Sequence, residues 1–228
     1  YSAYPGPNSP SHTVWGMSFL QALLHRDPPP RELDPATHVL LLDVDGVLLT
    51  PPSAFHQQFS ATHRPALQAF FNGPFESAST GKSDIREHLP AFLNALGRKE
   101  SPDEYLRAWC DHENYPNEPL LAEVRRLRTA GWRVYLATNQ EAYRVSHMLD
   151  VSGLRDVVDG EYASCSVGHR KPGAAYYKEV TRRLGLAPEH IVFWDDTPAN
   201  VQSARKAGWQ AHLYQDVPSF RRKMTCRP

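Results

Sequence analysis

From residue 116 onward, hydrophobic positions alternate between two patterns. In "EPLLAEVRRLRTAG", residues 118–131, Leu120, Leu121, Val124 and Leu127 recur at helical spacing, and Gly131 fits a C-terminal stop. "WRVYLATN" is then a short apolar strand that ends in polar residues. "EAYRVSHMLDVSG" reads as a helix, "VVDGEYAS" as a weak strand region, and "PGAAYYKEVTRRLG" as a helix with Pro172 near its start and Gly185 after its end. "HIVFWDD" is another strand ending in acids, "PANVQSARKAG" a helix, and "WQAHLY" a final strand. This βαβα rhythm predicts an α/β fold, a parallel sheet with helices on both faces.

Residues 53–115 break the rhythm. "AFHQQFSATHRPALQAFF", "DIREHLPAFLNALG" and "SPDEYLRAWCDHE" read as helices, the first interrupted at Pro65, and no strand is convincing. The simplest organisation is a core of residues 37–52 and 116–228, with 53–115 as a helical insert. Residues 1–36 hold seven prolines and little periodicity, apart from a candidate short helix in "MSFLQALLH". They read as an N-terminal extension, with Met17 a candidate natural start.

Composition narrows the partners. Lys plus Arg and Asp plus Glu both number 25, so there is no general electrostatic footprint for nucleic acid or an anionic membrane. No apolar run approaches the ~18 residues that span a bilayer, and no N-terminal segment has the parts of a signal peptide. Cys110, Cys165 and Cys226 are odd in number and form no CxxC. The expectation is a protein of the reducing cytoplasm without a disulfide framework or zinc site.

The chemistry gathers where strands end. In "HVLLLDVDGVLLTPP", residues 38–52, the apolar run Val39 to Leu42 meets Asp43, then Asp45 and Gly46. A second strand ends in Thr138 and Asn139, and a later one in Asp195 and Asp196, while Lys171 stands just before a helix. Open parallel sheets bind ligands at the carboxyl ends of their strands. Buried, clustered carboxylates are costly and raise one another's pKa, a penalty that a divalent cation removes. An oxygen-rich donor set suits Mg²⁺. Residues 43 and 45 face one way in an extended segment, so one can attack while the other handles a proton. Gly46 permits a tight backbone departure and close approach of an anion to main-chain N–H groups.

"DVDGV", "ATN", "RKP" and "WDD", in this order, resemble the four motifs of the haloacid dehalogenase-like (HAD) phosphohydrolases. The resemblance runs from residue 38 to about 214. "DDTPANVQSARKAG" is similar to the branch that holds the phosphatase domain of soluble epoxide hydrolase and small sugar-phosphate phosphatases. It implies a Rossmann-like core with a small helical cap inserted after the first motif, where residues 53–115 lie. It implies Mg²⁺-dependent hydrolysis of small phosphorylated metabolites. Asp43 would be the nucleophile that forms an aspartyl phosphate. Asp45 would be the general acid and then the base. Thr138 and Asn139 would hold phosphate oxygens, and Lys171 would pair with the nucleophile and the phosphoryl group. Asp196 would be the metal-binding acid, Asp195 a second ligand or one acting through water, and the ion would also take the Asp45 backbone carbonyl.

Other readings compete. A phosphomutase of the same superfamily would use the same residues. A dehalogenase needs neither Asp45 nor the metal, and a non-catalytic scaffold needs none of them. Asn200 reads as a brace for its helix. "TGKSD", 80–84, lacks the earlier glycine and the strand of a P-loop, although Lys82 could face a substrate. Trp109 and Tyr105 read as core of the insert, "RRLR" as a solvated helix face, and most of the eleven histidines as surface residues.

Overall fold

The computed structural model describes residues 33–225. The readings made for residues 1–32 and Cys226 lie outside them. Strand β1, Val39–Leu42, is buried along its whole length. The insert follows, as 3-10 turns at Phe55–Gln58 and Ala61–His63 and helices α1, Arg64–Phe71, α2, Pro74–Ser79, α3, Ile85–Ala95, and α4, Pro102–His112. Pro65 sits in the first turn of α1, where its missing N–H has no partner to lose, so the break falls just ahead of it. Ser101 and Glu104 form a reciprocal capping box at the start of α4.

The βαβα half continues with α5, Glu118–Thr129, β2, Arg133–Leu136, α6, Ala142–Asp150, and β3, Gly160–Glu161. It ends with α7, Ser164–Val167, α8, Ala174–Leu184, β4, Ile191–Asp195, α9, Pro198–Lys206, β5, Gln210–Leu213, and α10, Val217–Met224. The weak "VVDGEYAS" strand shrinks to two residues at the sheet edge. Helices α2, α7 and α10 were not expected from the pattern. All three are short, and α2 and α10 each begin beside a proline.

All pairings in the sheet are parallel, in the order β3-β2-β1-β4-β5. Strand β1 is therefore central, and its two faces belong to different cores. Leu40 and Leu42 pack with Leu121 and Val124 of α5, Met148 of α6 and Phe220 of α10. Val39 and Leu41 pack on the other face with Tyr176 and Tyr177 of α8 and Val201 of α9. This is the period-two geometry of a strand covered on both sides, which explains why its sequence is an unbroken apolar run.

The insert has a third core of its own. Phe55, Phe70, Phe75, Ile85, Leu89, Phe92, Tyr105 and Trp109 belong to it, all from residues 55–109. Phe70 and Phe92 stack with centroids 4.0 Å apart. His56, buried among these rings, donates or accepts at 2.7 Å with the Tyr105 hydroxyl. Burial lowers its pKa to about 3, so it is neutral there. His38, His147 and His212 are buried too, so four of the nine described histidines are core residues, while His63, His88, His112 and His190 are half-buried and His169 is exposed. Phe92→Ala should cost about 3–5 kcal/mol in urea denaturation. A loss below about 1 kcal/mol would show that the ring stack does not hold the insert together.

Candidate active site

Strands β1, β2 and β4 end at the same level, with Leu42 opposite both Leu136 and Trp194. Two bonds carry the register one residue further: Asp43 N–H donates to Trp194 O at 2.9 Å, and Ala137 N–H to Leu42 O at 2.8 Å. Chain crossovers leave β1 in one direction toward β2 and return in the other toward β4, so Asp43 and the Asp195-Asp196 pair flank the switch point of the sheet. A cavity of about 130 Å³ opens there. Asp43, Asp45, Gly46, Thr138, Asn139, Lys171 and Asp196 all line it, so the predicted residues do converge, apart from Asp195, which lies just beneath.

Lys171 is the hub. Its ammonium is almost fully buried, 3.0 Å from Asp43 Oδ1 and 2.6 Å from Asp195 Oδ2, and it donates to Ala137 O at 2.6 Å. Burial alone would lower its pKa, but Asp195 and Asp43 outweigh that and raise it, so it stays charged. Asn139 fixes the lysine from the backbone side: its Oδ1 accepts from Lys171 N–H and its Nδ2 donates to Lys171 O, both at 2.8 Å. The Asn139 side chain is thus occupied with bracing the lysine.

Asp43 Oδ1 also accepts from Val44 N–H at 2.8 Å. Its Oδ2 receives no hydrogen bond from the described residues. Burial first, and the Asp195 charge second, hold the Asp43 carboxyl well above the usual carboxylate range, against the pull of Lys171. Asp195 is fully enclosed and accepts from Thr197 N–H at 2.8 Å and Asn200 Nδ2 at 3.0 Å as well as from Lys171. Asn200 therefore braces Asp195, and its own carbonyl accepts from the Tyr177 hydroxyl at 2.9 Å. Asp196 faces the cavity, and burial and Asp195 raise its pKa. Gly46 has φ +78°, and a Cβ there would stand 2.1 Å from Asp196 Oδ2. The group that comes close to Gly46 is this carboxylate.

One carboxylate oxygen from each of Asp43, Asp195 and Asp196 falls within 4.8 Å of the others. The carboxylate of Asp45 lies outside that cluster, and the contribution expected of this residue to a metal was its backbone carbonyl. Its Oδ2 accepts from Gln140 Nε2, and its Oδ1 lies 3.4 Å from Arg144 Nη2. The insert supplies the outer wall with Ala54, Phe75, Trp109 and the adjoining Glu113, beside Pro51. Trp109 is thus both core and cavity wall, whereas Tyr105 is core only and Lys82 is exposed and away from the cavity.

Sequence reasoning missed Gln140, Glu113, Thr197 and Arg144. Gln140 and Thr197 extend strand-end motifs by one residue, so the rule that found their neighbours reaches them. Nothing in the pattern marks Glu113 or Arg144.

A family model for haloacid dehalogenase-like hydrolases matches residues 37–208. The chain belongs to that family. The rat bifunctional epoxide hydrolase 2 is 27% identical over 220 residues, covering 83% of this chain and 38% of the rat protein. A Mycobacterium tuberculosis phosphatase is 30% identical over 134 residues, 55% of this chain and 60% of that one. The chain thus spans less than two thirds of the length of either relative. A HAD family enzyme from Bacteroides thetaiotaomicron, solved as a magnesium complex, superposes with a TM-score of 0.70 at 21% identity, over 82% of this chain and 98% of that one. The fold is shared with this neighbour.

The acid cluster generates a stability prediction. A carboxyl whose pKa is raised by folding costs stability once the unfolded chain ionises. That cost appears as pH rises above about 4 and is full above the folded pKa. In EDTA at pH 7, Asp43→Asn should therefore melt higher than wild type, with the gap closing as pH falls toward about 4. A variant that melts lower at every pH would show that the Lys171 contact outweighs burial.

Proposed function

We propose that this hydrolase is a Mg²⁺-dependent phosphatase of small phosphate monoesters, working through an aspartyl phosphate on Asp43. The observation that carries the reading is the unbonded Asp43 Oδ2 at a cavity shared with Lys171 and with a second acid two residues on. Lys171 and Val44 N–H fix Oδ1 and so aim the other oxygen.

Oδ2 attacks phosphorus as the ester P–O bond breaks, and Asp45 passes its proton to the departing alkoxide. Water then attacks phosphorus, the Asp45 carboxylate takes the water's proton, and the bond to Asp43 breaks to release phosphate. The Thr138 hydroxyl and the Asn139 backbone N–H would bind phosphoryl oxygens. Lys171 offsets their negative charge in a site screened from water, where such contacts are strongest.

The donor set fits Mg²⁺, being oxygen only and converging within 4.8 Å. Asp43 and Asp196 would hold the ion, with Asp195 bracing from beneath because its oxygens are already engaged. When bound, the ion would neutralise phosphoryl oxygens and the acid cluster. The insert acts as a cap whose apolar wall takes up the leaving group, so the substrate is compact. A dehalogenase leaves Asp45 and Asp196 without work. The free thiols of Cys110 and Cys165 support a cytoplasmic enzyme. No helix among the described residues is long and apolar enough to cross a membrane.

A screen of phosphorylated metabolites with Mg²⁺ should find turnover that vanishes in EDTA and in folded Asp43→Asn. Activity surviving either treatment would overturn the reading. The two neighbouring acids should separate. Asp196→Ala should raise the Mg²⁺ requirement more than Asp195→Ala. Asp195→Ala should instead lower stability by about 3–5 kcal/mol, since it strips a buried partner from Lys171. The reverse pattern would exchange their roles.

A further inference from the structure

Arg144 occupies the first turn of α6, where Glu141 caps the helix by accepting from the Tyr143 and Arg144 N–H groups. Its side chain is 4% exposed. An arginine this deep needs partners that repay its desolvation. Among the described residues, its side-chain partners come from the candidate site and from the insert. Nη2 lies 3.4 Å from Asp45 Oδ1 and 3.5 Å from Glu113 Oε2, and Nη1 donates to Cys110 O at 3.1 Å.

Cys110 lies in the last turn of α4 and Glu113 directly follows that helix. Glu113 Oε1 in turn accepts from Phe55 N–H at 2.8 Å, at the first turn of the insert. The guanidinium therefore sits where the chain enters and leaves the insert, with Nη1 on the last turn of α4, Nη2 between Glu113 and Asp45, and Nε without a hydrogen-bond partner among the described residues. Asp45 needs such a hold. Its side chain is 45% exposed, and apart from Gln140 it has no other side-chain donor among the described residues. A carboxylate exposed to that extent samples several rotamers unless it is tied.

We propose that Arg144 is a positioning residue that holds Asp45 in its proton-delivery geometry and makes that geometry depend on the seating of the insert. The proposal rests on the reading of Asp45 as general acid. The planar fork of arginine can face two carboxylates and a carbonyl at once, which a lysine cannot. Displacing a reacting group by about 1 Å costs on the order of 100-fold. The loss should fall on the step that needs the proton and spare a step that does not.

The test compares phenyl phosphate with p-nitrophenyl phosphate, esters of similar shape whose leaving groups differ in their need for a proton. Single-turnover phosphoryl transfer is followed with Mg²⁺-loaded enzyme. Arg144→Ala should slow phenyl phosphate about tenfold or more while changing p-nitrophenyl phosphate less than about threefold. Arg144→Lys should fall between, and added guanidinium ion should restore the alanine variant on phenyl phosphate. Equal losses on both esters, or no loss on either, overturn the proposal by reducing Arg144 to a strut. Asp45→Asn is the control. If it shows the bias and Arg144→Ala does not, the positioning role alone fails. If Asp45→Asn shows no bias, the general-acid reading fails and takes the proposal with it. Should Arg144→Ala not fold, the double variant Arg144→Met with Glu113→Gln, which leaves no unpaired buried carboxylate, is read in the same way.

Discussion

One buried ammonium group makes this rim possible. Without Lys171, Asp43 and Asp195 would be two carboxylates enclosed at the ends of adjacent strands, each raising the cost of ionising the other. The lysine lies within 3.0 Å of both and also caps a strand-end carbonyl. Such a group is hard to place, because a lysine stem is flexible and its head prefers water. The chain solves this from the backbone: Asn139 holds the main chain of Lys171 through two hydrogen bonds, and Asn200 and Thr197 hold Asp195 opposite it. Amide side chains at the rim thus serve the charges rather than the ligand.

That arrangement survives only on a rigid base. Every residue of β1 is buried, and alternate side chains lock into separate cores above and below the sheet. The aromatic core of the insert is a separate cluster, touched from the sheet half by Tyr143 of α6. The strand-end groups therefore stand on a strand buried on both faces, while the apolar wall of the cavity comes from the insert. Under the proposed function, the apolar wall would meet the leaving group and the polar rim the phosphoryl group.

Much of this was legible in the chain. An unbroken apolar run that stops at an acid is what a doubly covered parallel strand with a polar tip must look like, and Val39–Asp43 and Ile191–Asp195 both show it. Period and strand-end chemistry are local properties, so they survive the absence of a structure. The helices of residues 53–115 were visible by the same logic, as was the boundary near Pro65. Helices α2 and α10 were too short for their period to stand out, and β3 too short for any pattern at all.

The sequence alone determined the sheet, the helical insert and the identity of the acids and the lysine at the strand ends, because alternation and chain order dictate which residues share a rim. The tertiary structure decided the rest, because partner choice among buried polar groups depends on segments that are distant in the chain. It directed the Asn139 side chain to Lys171, enclosed Asp195 while turning Asp196 to the cavity, and placed Asp196 against Gly46. It buried four histidines that composition would leave in water. It also brought Arg144, Glu113 and Asp45 together across gaps of 31 and 68 residues, where no spacing rule operates and only packing selects which charge meets which.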